Sequence, residues 1–293
     1  LNEVSTYGGV IHQSMWSHFF KDMRGMCESM EMPISSMHWE QAASMGEVAL
    51  GHRPGFKAVD DAVLFKTHAK TLAARHGLLL SFMARPMADD DGQSGHAHFS
   101  LKNRRGRQLF HDPKDPDGMS RMQRHVVGGL QQLLPELLLM LAPNINSFKR
   151  LTPGAFAPIA ATWGVENRTC DIRVIPGQPG AQRIELRVPG SDSNPYLVAA
   201  LVLAAALWGI EHEAQPAAPM SGSCYERSDA IPEEQQFPAT FRQAIERFHG
   251  SSNARRMFGD DFVEMYAGTR LAQAEQFARM VTDKELERFL EMA

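Results

Sequence analysis

The sequence predicts an α+β fold, in which an antiparallel β-sheet is flanked by helices. Two observations lead to this class. Short segments in which polar and apolar residues alternate, as in strands, are interleaved with helical segments through much of the chain, and the C-terminal part is almost wholly helical in pattern. Strands first and helices last is typical of an α+β fold.

The first half of the chain contains strand and helix signals in alternation. Apolar residues at helical spacing, with Pro and Gly as stop signals, indicate the helices. The predicted helices are 16–30, ending before Pro33, 60–76, closed by Gly77, and 119–141, stopped by Pro143. The predicted strands are two within 33–50, then 78–83 and 96–101.

The second half begins with strand-like sequence at 160–188, broken by a Pro/Gly loop at 176–180. Polar residues followed by Pro195 then predict a helix start. The apolar run 196–210 is too short to cross a bilayer and predicts a buried helix. The remaining predicted helices are 238–248, 260–281 and 283–292, the last behind a Thr282 cap.

Composition excludes several classes of protein. The 293 residues are 43% hydrophobic, and the net charge of −4 leaves no basic footprint for nucleic acid. No membrane partner is predicted. Three scattered cysteines, Cys27, Cys170 and Cys224, fit thiols in a reducing compartment, so we predict a cytoplasmic protein.

The segment QSGHAHFSL, residues 93–101, carries the first functional signal. Alternate residues of a strand share a face. One face therefore holds His96, His98 and Ser100, and the other holds Ala97, Phe99 and Leu101. Imidazoles placed in this way could hold a metal ion, hold a phosphate or lie half-solvated at a sheet surface, and the spacing alone leaves all three open.

Three other segments show the same charged alternation. In MHWEQ, His38 and Glu40 share a face, and in MGEVAL, Glu47 alternates with apolar residues. In RIELRV, the face opposite the core holds Arg183, Glu185 and Arg187. An exposed face with cross-strand ion pairs explains any one segment. Because buried charges are rare unless they are paired or metal-bound, the four segments together predict one charged cavity over the sheet.

The residue types in this cavity indicate phosphoryl transfer. Carboxylates with one imidazole suit Mg²⁺ or Mn²⁺, and arginines match phosphates and carboxylates. The candidate metal ligands are Glu40, Glu47, His96 and Glu185. The candidate anion-binding residues are Arg150, Arg168, Arg173, Arg183 and Arg187. A Walker loop and a Rossmann glycine fingerprint are both absent from the sequence.

The chain resembles the catalytic domain of the glutamine synthetase family over nearly all of its length. The resemblance is carried by NSFKRLTPGAFAPIAATWGVENRTCDIRV, RIELRVPGSDSNPYLVAA and VTDKELERFL. It implies a glutamine synthetase/guanido kinase-like catalytic domain. It also implies a carbon–nitrogen ligase, in which ATP phosphorylates the γ-carboxylate of glutamate and an amine then displaces phosphate.

The resemblance also implies roles for individual residues. Glu40 and Glu47 resemble ligands of one metal, and His96 and Glu185 resemble ligands of a second. Gly92, Arg150 and Arg187 match glutamate-binding positions. The positions that match the ATP site are His98, Ser100, Arg168, Arg173 and Arg183. Arg150, Arg168 and Glu185 are the positions expected to act in catalysis.

Departures from the family pattern lie on the acceptor side. Glutamine synthetases carry a flap glutamate that takes a proton from ammonium, and Phe156 occupies that place here. The family's G-P-G-Q loop is replaced by residues 42–45, which end in Met45, and Asp91 stands where asparagine is usual. We therefore predict an organic amine acceptor, such as a polyamine, alkylamine or aromatic amine.

Residues 1–293 are interpreted as this catalytic domain alone. The family's N-terminal β-grasp domain and its first metal-ligand strand do not occur before Leu1, and the chain starts without Met, so we expect part of a longer protein. The resemblance implies rings of subunits, as two stacked hexamers. An ammonia-using glutamine synthetase and a catalytically degenerate scaffold or regulator are the alternative functions.

Overall fold

The computed structural model describes residues 14–226 and 231–292. The α-helices in these ranges are α1 (Ser17–Ser29), α2 (Phe56–Arg75), α3 (Arg121–Leu137), α4 (Ile145–Arg150), α5 (Pro195–Glu211), α6 (Phe241–Gly250), α7 (Ser252–Phe258), α8 (Asp260–Ala278) and α9 (Asp283–Phe289). The strands are β1 (Ile34–Trp39), β2 (Gly46–Leu50), β3 (Ala97–Phe99), β4 (Trp163–Val165), β5 (Ile172–Ile175) and β6 (Arg183–Leu186). The predicted helices are confirmed with ends moved by a few residues, and α4 and α7 were not predicted.

The strands form a β1–β2 hairpin and a four-stranded sheet in the order β3-β6-β5-β4. The α+β class with a largely antiparallel sheet is therefore confirmed. One pair departs from the prediction, because β4 and β5 are parallel. Parallel strands normally need a long crossover. Because β4 spans only Trp163–Val165, the short connection to β5 is enough to bring the chain back to the level at which β4 begins.

The strand predicted at 78–83 is wrong. The structure describes these residues and assigns them no strand. Their backbone carbonyls bond to side chains instead: Phe82 O accepts from Ser191 Oγ at 3.0 Å, and Met83 O accepts from Gln93 Nε2 at 3.0 Å. Leu79 is 97% exposed, so the apolar pattern does not reflect burial in the described chain.

The core centres on α3 and α5, which pack closely together. Most of α3 is buried, including Leu130, Leu133 and Leu134. Gly129 and Gly209 make the close approach possible, because a Cβ on either would collide with backbone of the facing helix. In the described part of the chain, the helices all fall short of the length and apolarity that a membrane span requires.

The sheet has one apolar and one polar face. Ile172, Val174, Ile184 and Leu186 are fully buried in the main core. Their neighbours along β5 and β6 point to the other side, because side chains alternate along a strand. The candidate site lies on this second face.

Candidate active site

A row of polar side chains crosses the sheet on the face opposite the core. In the strand register, Glu185 on β6 lies opposite His98 on β3 and Arg173 on β5. The strand pairing therefore brings together three of the residues singled out from the sequence, from segments far apart in the chain.

Glu185 is the centre of this charge network and is only 3% exposed. Its Oε1 accepts a hydrogen bond from Arg187 Nη1 at 2.7 Å and lies 3.2 Å from His96 Nδ1. Its Oε2 accepts from Arg173 Nη1 at 3.0 Å. Burial acts to raise the pKa of Glu185, but the hydrogen bond to His96 and the charge of Arg187 outweigh it and hold that pKa well below its usual range. Glu185 is therefore a carboxylate at neutral pH.

His96, which precedes β3, and His98, which lies on β3, are both neutral at pH 7. Burial lowers the pKa of His96 to about 4, against the opposing hydrogen bond to Glu185. Nδ1 of His96 faces Glu185. In the neutral tautomer that carries its proton on Nδ1, Nε2 keeps a lone pair that can ligate a metal. Burial also lowers the pKa of His98, whose Nδ1 accepts from Arg183 Nε at 3.3 Å.

The β1–β2 hairpin supplies a second group of donors. His38 and Glu47 are opposite each other in the hairpin register. His38 Nε2 lies 2.9 Å from Glu40 Oε1 and 4.0 Å from Glu47 Oε1. One ligand atom from each of the three lies within 4.8 Å of the others. Sequence reasoning placed His38 on the same face as Glu40 but missed it as a metal-ligand candidate, although its alternation with Glu40 was the available signal.

The hairpin carboxylates and the sheet carboxylate are close enough to influence one another electrostatically. The pKa of Glu47 is raised, first by burial and then by the negative charges of Glu40 and Glu185. Arg187 acts on it in the opposite direction. Carboxylates that repel one another in this way gain from a shared cation.

Arg150 lies at the buried end of the site. Its Nη1 donates to Val188 O at 2.8 Å, and its Nη2 donates to Ser94 Oγ at 2.6 Å and to Arg187 O at 3.1 Å. Burial lowers its pKa to about 10, so it remains a cation. Gly92 packs against its side chain, and a Cβ there would lie 2.8 Å from Arg150 Cγ.

The other candidate anion-binding residues are spread along the rim of the sheet. Arg173 bridges Glu185 and Glu166. Arg183 donates to Ala181 O at 3.0 Å as well as to His98. Arg168 is exposed in the β4–β5 connection, and Ser100 follows β3 half-buried. The described partners of the Glu185 carboxylate are Arg173, Arg187 and His96, so neither Arg168 nor Ser100 is among them.

The flap that follows α4 carries Phe156 at the edge of the site. Phe156 has φ 49° and is 60% exposed. Its ring meets Tyr225 edge-on, with centroids 6.4 Å apart. The charges of Arg187 and Arg150 act on Tyr225, although burial is the larger effect and raises its pKa. Sequence reasoning missed Tyr225, which had no local signal. Met45 lies in the hairpin loop, where its carbonyl accepts from Glu40 N at 2.8 Å.

A cavity of about 310 Å³ separates the flap from the acidic loop before β3. It is lined by Arg85, Ala88, Asp89, Asp90, Asp91, Thr152, Pro153, Gly154 and Ala155. Burial and the charge of Asp90 raise the pKa of Asp91. The cavity therefore has the carboxylates of the acidic loop on one wall and residues of the flap on the other, and Phe156 directly follows these flap residues in the chain.

Comparison with known proteins gives the family. The family model described as "Glutamine synthetase, catalytic domain" matches residues 2–289. The chain belongs to this family. A solved structure of GmaS without ligand has a TM-score of 0.89 with this fold at 26% identity, covering 98% of this chain and 66% of that one.

Curated members of the glutamine synthetase family extend the comparison. Glutamate–isopropylamine ligase of Pseudomonas sp is 33% identical over all of this chain and 64% of its own length. Gamma-glutamylputrescine synthetase PuuA of Escherichia coli K12 is 31% identical over all of this chain and 61% of its own length. The glutamine synthetase of Thermotoga maritima is 32% identical over 92% of this chain and 62% of its own length. The chain thus spans about three fifths of these relatives.

Proposed function

We propose that the protein containing this chain is an ATP-dependent ligase that joins the γ-carboxylate of glutamate to an organic amine. The observation that carries the proposal is Phe156, an exposed aromatic ring at the flap position where glutamine synthetases hold a proton-accepting glutamate. Ligases named for isopropylamine and putrescine among the relatives support an amine as acceptor.

The reaction balances as two substitutions. A γ-carboxylate oxygen of glutamate attacks the γ-phosphorus of ATP, and ADP leaves. The amine nitrogen then attacks the γ-acyl carbon of the γ-glutamyl phosphate, inorganic phosphate leaves and the nitrogen loses a proton. Cationic side chains favour both steps, because negative charge grows on the transferring phosphoryl group in the first step and on the departing phosphate in the second.

The donor set fits Mg²⁺ or Mn²⁺. His38, Glu40 and Glu47 would hold one ion, and His96 with Glu185 would contribute to a second, because hard oxygen ligands with few imidazoles suit these metals. When bound, the ions supply charge neutralisation for the phosphates. The raised pKa of Glu47 fits this assignment, since clustered carboxylates are stabilised by a cation.

The arginines divide between the two anionic substrates. Arg168, Arg173 and Arg183, with His98 and Ser100, are assigned to the ATP phosphates and nucleotide. Arg187 is assigned to the glutamate carboxylate. Arg150, which packs against Gly92, supports Arg187 by donating a hydrogen bond to its backbone carbonyl. Glu185 holds both Arg173 and Arg187 and so fixes the two guanidinium groups relative to each other.

The acceptor side is assigned to Phe156, Met45 and Tyr225. An apolar rim binds the carbon substituent of an organic amine and offers little to ammonium. The flap side chain cannot accept a proton, so the amine arrives as the free base or loses its proton to another group.

The test is ADP release by the complete natural protein with ATP, Mg²⁺ and glutamate. Ammonia, methylamine, ethylamine, putrescine and aniline are compared at equal free-base concentration. We expect an organic amine to give the highest kcat/KM, and the ranking to report the shape of the acceptor site. Ammonia as the best acceptor would make this an ordinary glutamine synthetase. Absence of turnover and of Mg²⁺-dependent ATP binding would favour the scaffold alternative.

Assembly and location remain predictions. Stacked hexameric rings are inferred from the family, and a cytoplasmic location is inferred from the cysteine content. Sedimentation of the complete protein tests the first, and fractionation of the source cells tests the second.

A further inference from the structure

Two of the three cysteines meet inside the fold. Cys170 Sγ and Cys224 Sγ lie 3.2 Å apart, although 54 residues separate them in the chain. Cys170 is fully buried and Cys224 is 5% exposed. The third cysteine, Cys27, lies in α1. The sequence indicated only scattered thiols, whereas the structure pairs two of them.

The sulfur contact joins two segments that are already hydrogen-bonded along their length. Cys224 N donates to Thr169 Oγ1 at 2.9 Å, and the Asn167 side chain donates to Met220 O at 3.2 Å and to Gly222 O at 2.9 Å. Gly164 permits this packing, because a Cβ there would lie 2.9 Å from Asn167 Cβ and 3.0 Å from Met220 O. The two thiols are therefore held face to face by backbone placement on both sides.

Each cysteine is followed directly by a residue that contacts the candidate site. Asp171 accepts from Val188 N at 2.8 Å and from Arg187 N at 3.3 Å, and so supports the end of β6. Tyr225 meets Phe156 on the flap. A bond formed between the two sulfurs would therefore constrain the chain directly next to both of these residues.

We propose that Cys170 and Cys224 form a reversible dithiol–disulfide pair whose oxidation fixes segment 217–226, and with it Tyr225, against the connection between β4 and β5. The oxidant is a small disulfide such as oxidised glutathione. The Cys224 thiolate attacks one of its sulfurs and releases one thiol. The Cys170 thiolate then attacks Cys224 Sγ in the mixed disulfide and releases the second thiol. Two protein thiols are oxidised, one small disulfide is reduced to two thiols, and the two cysteine protons pass to these.

Burial makes the exchange slow and dependent on pH. The hydrogen bond with Cys224, followed by burial, raises the pKa of Cys170 far above that of an ordinary thiol. Since the thiolate is the attacking form, the rate of disulfide formation rises with pH. The hydrogen bonds that tie segment 217–226 to its neighbours must open before the oxidant reaches Cys224, so the exchange reports on the opening of this segment.

The first test is chemical and independent of activity. The complete protein is incubated with oxidised glutathione at pH 7 and pH 8.5, alkylated and mapped by mass spectrometry without reduction. We expect a 170–224 cross-linked peptide, formed faster at pH 8.5 and removed by dithiothreitol. It should persist in Cys27→Ser and be absent from Cys170→Ser and Cys224→Ser. Unmodified thiols, or a glutathione adduct that never resolves into the cross-link, would overturn the proposal in the wild-type protein itself.

The second test measures the consequence for the site. Amide hydrogen exchange within 217–226 should slow on oxidation, and unchanged exchange would overturn the fixing of this segment. A further expectation rests on the proposed function: oxidation should shift KM for the amine several-fold and leave KM for ATP unchanged. Equal shifts in both constants would refute the link to the acceptor side. A protein that forms the cross-link but turns over no amine would instead refute the proposed function alone.

Discussion

Replacing Phe156 by glutamate alters the proposed acceptor side of the site while the backbone keeps its conformation. Phenylalanine and glutamate both carry a Cβ and therefore bear similar backbone strain at φ 49°. The side chain at this position is 60% exposed, which leaves space for a carboxylate. The change removes an apolar contact for the carbon substituent of an amine. It also places a proton acceptor at the position that glutamine synthetases use.

The size of each effect follows from the structure. A phenylalanine side chain presents roughly 200 Å², so 60% exposure leaves about 120 Å² for a ligand. If a small amine covers about half of this area, the lost burial is about 1.5 kcal/mol at roughly 25 cal/mol per Å², or about tenfold in kcat/KM. A positioned general base contributes about 10²–10⁴-fold. We therefore expect ethylamine to lose about tenfold and ammonia to gain at least about 100-fold.

The assay is ADP release with ammonia and ethylamine over a range of concentrations, for wild type, Phe156→Glu and Phe156→Gln. Gln is the matched control, because it removes the aromatic ring but cannot accept a proton. It should lose ethylamine activity and gain no ammonia activity. A Glu variant whose preference between the two acceptors is unchanged would refute the assignment of Phe156 to the acceptor side.

Three further predictions concern the candidate metal ligands His96 and His38 and the helix contact in the core. Because burial lowers the pKa of His96 from an ordinary 6.5 to about 4, the unfolded chain binds a proton first as pH falls. The free energy of unfolding of the metal-free protein should therefore drop by up to about 3 kcal/mol between pH 6.5 and 4. If the Tm of the wild type fell with pH no more than the Tm of His96→Asn, this prediction would be contradicted. His38→Ala should weaken Mn²⁺ binding at least about tenfold by calorimetry. His76→Ala is the matched control and should leave binding unchanged, because His76 pairs with Asp22 and not with the hairpin carboxylates. Gly129→Ala should lower the free energy of unfolding, measured with urea, by about 1–3 kcal/mol. Gly268→Ala should not destabilise the protein, because there is open space around Gly268. Equal stability of the two variants would disprove the role given to the α3–α5 contact.

Much of the site was accessible from local sequence. Period-two alternation places Glu185 opposite the core-facing residues Ile184 and Leu186, and the structure shows that division. The same rule separates His98 from Phe99 on β3. Such predictions hold because the direction of a side chain from a strand depends only on its position in the alternation. The assigned ligand and substrate roles stay predictions, since they rest on the family resemblance.

Other features were decided by the tertiary structure alone. The strand predicted at 78–83 fails because its backbone finds side-chain partners from other segments, which no local pattern records. His38 joins Glu47 through the hairpin register, and Tyr225 reaches Phe156 from about 70 residues further along the chain. Cys170 and Cys224 looked like isolated thiols in the sequence. The sequence by itself determined which side chains leave each strand on the polar side, whereas only long-range pairing decided which of them meet, because contact distances depend on register and packing between distant segments.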